Sequence, residues 1–112
     1  MDLVASLSNQ GFVLKTQQQI SKDFNQHGFE FEPKFDTQAY EIGSLRIAVQ
    51  EMLLEVMEKH PNKWMPLMYT LDIPEKQYVR FFSGVISEWV IDFAFLVIKR
   101  EAQKVFFRES FK

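Results

Sequence analysis

Two histidines, fifteen carboxylates and no cysteine bound the catalytic and metal chemistry open to this 112-residue chain. Nucleophilic catalysis sets a hydroxyl or thiol beside a base and an orienting acid, and metal-assisted hydrolysis gathers His and carboxylate ligands. His27 precedes Gly28 and His60 precedes Pro61, so each is expected in the last turn of a helix, where a partly charged imidazole complements the macrodipole. That favours a structural role for both. The di-iron helical bundle requires Glu-x-x-His on inward faces, and Glu58-Lys59-His60 has the wrong spacing. No Gly-rich phosphate loop or dinucleotide fingerprint is present. The missing cysteines exclude a disulfide framework, a thiolate nucleophile and sulfur-based zinc sites. The expectation is therefore no enzyme, no cofactor and no metal.

Asp92 is the polar residue that most needs an account, because it interrupts the apolar run from Trp89 to Ile98. Glu88, Asp92, Lys99 and Gln103 share one stripe of a helical wheel, which reads as a narrow solvated edge on a mostly buried helix. The alternatives are a buried ion pair with Arg46 or Arg80, and a ligand-binding carboxylate. Two further stripes stand out: acidic Glu51, Glu55 and Glu58, and basic Arg100, Lys104 and Arg108. Such stripes are usually solvated faces worth tenths of a kcal/mol. On antiparallel helices they would face one another, within the fold or across a dimer. Phe106, Phe107 and Phe111 border the basic one, so an acidic partner or a phosphate backbone is the competing occupant. Trp89, Phe93, Arg100, Lys104, Phe107, Arg108 and Phe111 form the candidate interaction surface. Most of the seventeen aromatic residues sit at helix-core spacing and read as core.

The elements that would carry these residues are helices. The first is expected over 13–27, stopped by Gly28 at C′ with Phe29 at C″ reaching back to Phe24. Residues 1–12 read as a short helix or a flexible arm, and Gly11 argues against one continuous helix. FEFEPKFD, residues 29–36, alternates like a strand, but Pro33 breaks it and nothing in the chain offers a partner. An extended connector laying Phe29, Phe31 and Phe35 onto the helices fits better than an edge strand. A second helix is expected over 37–59, capped by Asp36 or Thr37, with Gly43 implying either a start at Ser44 or a close backbone approach. Asn62 would cap a short helix carrying Trp64, Leu67, Met68 and Leu71. DIPE, residues 72–75, reads as a capping box for a helix over 74–82. The last helix is expected over 85–109, apolar on more than one face, so it is central or has a partner on each side.

Length, apolar content and charge suit one globular all-α domain of about five helices over residues 1–112. The acidic start and missing apolar leader predict no signal peptide, and no apolar stretch approaches the roughly 20 residues a membrane span needs. A cytoplasmic location without membrane contact is expected. Net charge is -2, giving no global attraction to nucleic acid. The halves differ: residues 1–60 hold nine acids and five bases, residues 61–112 six acids and eight bases.

LMYTLDIPEKQ (Leu67 to Gln77), a later helix bearing KREAQK (Lys99 to Lys104), and LKTQQQISKDFNQHGFEFE near the start resemble a group of small all-α bacterial proteins with no assigned function. The likeness spans about residues 13–110 and rests on caps and helix faces. It implies a bacterial cytoplasmic helical domain, carries over no catalytic residue and leaves the aromatic run FRESFK, Phe107 to Lys112, unexplained. The expected function is a non-catalytic interaction or scaffold module that forms a homodimer through its last helix or binds another protein. The alternative is a small helical domain binding a ligand or nucleic acid through the C-terminal basic and aromatic stripe.

Overall fold

Asn9 opens the first helix: its side-chain oxygen accepts from Phe12 N–H at 3.1 Å. In the computed structural model, which describes residues 9–79 and 84–110, five helices follow in order: α1 Gln10–Asn25, α2 Ile42–Lys59, α3 Trp64–Thr70, α4 Glu75–Tyr78 and α5 Ile86–Ser110. No strand occurs among the described residues. The all-α architecture is therefore the one expected from the periodicity.

The stop of α1 is as its sequence requires. Gly28 takes φ +87°, and Phe29 N–H donates to Phe24 C=O at 3.1 Å, the long bond of a Schellman motif. The helix begins three residues earlier than expected because Asn9 supplies the cap and Gly11, in the first turn, costs little there. Gln10 to Phe12 thus belong to α1, and the rest of the expected arm lies outside the described residues.

Residues 29–41 form the extended connector, folded once into a 3-10 turn at Pro33–Asp36. Phe29 and Phe35 are buried, and Phe31 stacks on Phe35 at 4.1 Å while meeting Phe24 edge-on at 5.3 Å. Two side chains of α1 hold this segment down: Gln18 Nε2 donates to Asp36 C=O at 3.0 Å, and Gln17 makes three bonds. Buried Gln17 donates through Nε2 to the carbonyls of Phe35 and Gln38, both at 2.8 Å, and accepts from Tyr40 N–H at 2.7 Å.

Three expected helix starts need correction. Asp36 and Thr37 belong to the 3-10 turn and its end rather than capping α2, which starts at Ile42 with no side-chain cap. Gly43 stands in the first turn of α2 with open space around it, so neither a start at Ser44 nor a close backbone approach accounts for it. Asn62 sits inside a 3-10 turn, Pro61–Lys63, and caps nothing. The DIPE segment does not form a capping box. Asp72 instead takes φ +61° at the end of α3, where Ile73 N–H reaches Met68 C=O at 3.0 Å, and Pro74 occupies the cap position of α4 without a side-chain bond. The expected helix over 74–82 is seen as Glu75–Tyr78; residues 80–83 lie outside the described set.

Helix α5 packs against α2 and α1. Its buried positions, Trp89, Val90, Phe93, Ala94, Val97, Ile98, Glu101, Ala102 and Val105, cover about 220° of the helix at roughly 100° per residue. The helix is thus central over most of its circumference. What remains is a solvent arc of Glu88, Ile91, Asp92, Phe95 and Lys99, on which Ile91 is 40% and Phe95 45% exposed.

Candidate functional site

The structure separates the two histidines into structural positions. His27, just beyond α1, meets Thr70 Oγ1 through Nε2 at 2.7 Å, while its carbonyl accepts from Lys63 Nζ at 2.9 Å. Since the Thr70 hydroxyl points its own donor at Pro66 C=O, 3.2 Å away, His27 Nε2 acts as the donor. These bonds tie the end of α1 to α3. His60 is exposed at the end of α2, its ring edge-on to Phe29 at 5.5 Å. Among the described residues no group of three or more His, Asp or Glu is placed to hold a metal ion.

The residues of the basic stripe do not form a free surface. Lys104 Nζ turns into the fold, donating to Asp23 Oδ2 at 2.7 Å and to Thr70 C=O at 2.8 Å. Arg100 donates from Nε to Asp72 C=O at 3.1 Å and from Nη2 to its carboxylate at 3.3 Å. Arg108 donates to Gln19 Oε1 at 2.7 Å. Trp89 and Phe93 lie in the core against Trp64, with ring centroids 6.4 and 5.5 Å away. Burying each stabilises the fold by roughly 1.5–3 kcal/mol, which a surface position would forfeit. Of the expected interaction surface, Phe107 and Arg108 stay exposed, and Phe111 lies outside the described residues. The exposed apolar residues of α5 are instead Ile91, Phe95 and Phe107.

Sequence reasoning missed the centre of this network. Glu101 is fully buried on α5 and Asp23 is 3% exposed on α1. Lys104 Nζ lies 2.8 Å from Glu101 Oε2, but off the hydrogen-bonding direction, so neither Glu101 oxygen gains a well-directed bond while ionised. Burial pushes the Glu101 carboxyl up to about 9; the hydrogen bond to Asp23 and its negative charge add to this, and Lys104 offsets part of it. At neutral pH Glu101 therefore carries a proton that Asp23 accepts. Burial works against the Lys104 charge, but its bond to Asp23 and the closeness of the two carboxyl groups outweigh that and raise the ammonium. The signal was available. Glu101 continues the Val90, Ala94, Val97 series at steps of three and four, and Asp23 adjoins Phe24, three residues after Ile20.

The acidic stripe meets no base of α5. Glu51 and Glu55 line an open groove of about 390 Å³ with Glu30, Glu32, Phe31 and Met52, and Glu55 pairs with Lys59 at 3.7 Å. Asp92 is exposed on the solvent arc, as its helical-wheel stripe implies, and Arg46 bonds Gln50 rather than Asp92. A second open groove, of about 470 Å³, lies between the start of α1 and the end of α5, where Lys15 and Glu109 pair at 3.1 Å. Among the described residues, no helix is long and apolar enough to cross a membrane. Compared with protein-family models, curated proteins and solved structures, the chain matches none of them.

Proposed function

We propose that this protein is a non-catalytic interaction module that self-associates through its last helix. The observation that carries the reading is the pair Ile91 and Phe95, one turn apart on the longest helix, 40% and 45% exposed. Water-facing apolar pairs on an otherwise charged arc mark contact surfaces when a second element covers them. A bacterial cytoplasmic setting is part of the same proposal, supported by the resemblance of LMYTLDIPEKQ and KREAQK to small bacterial proteins.

The nucleic-acid alternative loses support from the internal use of its cations. Arg100 and Lys104 spend their donors on Asp72, Asp23 and Thr70, leaving little charge on that stripe for phosphates. Light scattering coupled to size exclusion across micromolar concentrations tests the proposal. A doubled mass that reverts to the monomer in Phe95→Glu supports it. A mass that stays monomeric at every concentration, or a dimer indifferent to Phe95→Glu, overturns it.

A further inference from the structure

The solvent arc of α5 is charged asymmetrically about Phe95. Glu88 and Asp92 lie on its N-terminal side and Lys99 one turn to its C-terminal side, all exposed. Among the described residues none of the three forms an ion pair within its own chain. At about 100° per residue, Glu88, Ile91, Asp92, Phe95 and Lys99 fall within roughly 100° of one another, a single strip along the helix. Resting on the self-association reading, we infer that two copies of α5 pair antiparallel about a two-fold axis at Phe95, with Lys99 of each copy seated between Glu88 and Asp92 of the other.

Charge and symmetry together favour the antiparallel pair. A two-fold interface is isologous, so each residue meets the position mirrored through the axis. With the axis at Phe95, position 99 meets position 91, which Glu88 and Asp92 flank on the partner helix. The ring of Phe95 then meets its own copy, and Ile91 packs against the aliphatic stem of the opposing Lys99. A parallel pairing in register does the reverse. It sets Glu88 on Glu88, Asp92 on Asp92 and Lys99 on Lys99, each repelling its copy. The apolar pair supplies attraction without direction, and the three charges supply the direction.

Two sets of variants test the arrangement on the intact chain. Lys99→Glu places an acid between two acids in each half of the dimer and weakens it roughly tenfold or more. Adding Glu88→Lys and Asp92→Lys to that variant inverts the whole strip and restores dimerisation. Because the chain has no cysteine, single thiols report the register directly. In the antiparallel pair the two 99 positions lie about 12 Å apart along the axis. A mixture of Asp92→Cys and Lys99→Cys proteins therefore joins efficiently through a short thiol cross-linker, while Lys99→Cys alone joins poorly. If Lys99→Cys alone joins as well as the mixture, or if charge inversion fails to restore a Lys99→Glu dimer, the register is overturned while self-association through Phe95 still stands. A wild-type chain that is monomeric throughout overturns both.

Discussion

Glu101 and Asp23 confront each other across the α1–α5 contact, both out of water, with the Lys104 ammonium 2.8 Å from the first and 2.7 Å from the second. One positive charge among two carboxyl groups leaves room for one negative charge, so the other carboxyl keeps its proton. The triad is neutral only while that proton stays.

The Glu101 contribution to stability should therefore fall as pH rises from the acid range through neutrality. In the unfolded chain Glu101 ionises near 4.5, whereas in the fold it holds its proton to about 9. The contribution of the protonated group is complete below 4.5 and is lost as pH rises towards about 9, at roughly 1.4 kcal/mol per pH unit. Glu101→Gln keeps a donor for Asp23 and removes the titration. Urea unfolding across this pH window should show the variant gaining on the wild type as pH rises. Parallel profiles would mean that Glu101 is ionised in the native protein.

Lys104→Met should be far more damaging than its half-exposed position suggests. It leaves the Asp23 carboxylate uncompensated and the Thr70 carbonyl without its donor, a loss of about 3–5 kcal/mol. Pairing it with Asp23→Asn should recover part of the loss, measured as a coupling in a double-mutant cycle. Simple addition of the two single effects would show that the ion pair is not formed.

At Asp72 the order of variants distinguishes a left-handed residue from a helix cap. With φ at +61°, Asp72→Gly removes backbone strain and forfeits only a half-exposed pair with Arg100, so the denaturation midpoint holds or rises. Asp72→Ala keeps the strain without the local polar side chain and falls by about 1 kcal/mol. A cap would instead make both substitutions destabilising.

Gly43→Ala should raise the melting temperature by a few degrees. The position is in the first turn of α2, its φ is helical, and an added Cβ meets nothing within 4 Å. Alanine is favoured there by up to about 1 kcal/mol through helix propensity alone. A fall on calorimetry would reveal a contact at that face.

What the sequence disclosed and what it withheld divide along physical lines. The stop at Gly28 was legible because a left-handed turn followed by an apolar residue is a local requirement, fully written in residues 24–29. For α5 the apolar residues exceed one face, which left two readings open, a central helix or one with a partner on each side; the packing against α1 and α2 supplies the first over most of its circumference. The destination of Lys104 was not. Periodicity groups Arg100, Lys104 and Arg108 on one side of a helix but carries no information about what approaches that side, and long cationic stems reach inward or outward with equal ease. Asp72 misled for a different reason: the same short polar side chain suits a helix start and a left-handed end, and only the chain path after Leu71 decides between them.

The connector at residues 29–41 has almost no regular structure, yet three of its main-chain groups end on the amide of Gln17. Part of its conformation is thus set from a position 18 to 23 residues earlier in the chain, alongside the packing of its own Phe29, Phe31, Phe35 and Ala39. Exposed position 38 tolerates other side chains, because a carbonyl is the same whichever residue bears it. Gln17 has no such freedom. Glutamate would bring no donor for the carbonyls of Phe35 and Gln38, leucine would strand all three groups, and asparagine would fall one methylene short. The main-chain course of this irregular stretch therefore leans on neighbouring amides of one regular helix, Gln17 and also Gln18, whose Nε2 donates to Asp36 C=O at 3.0 Å.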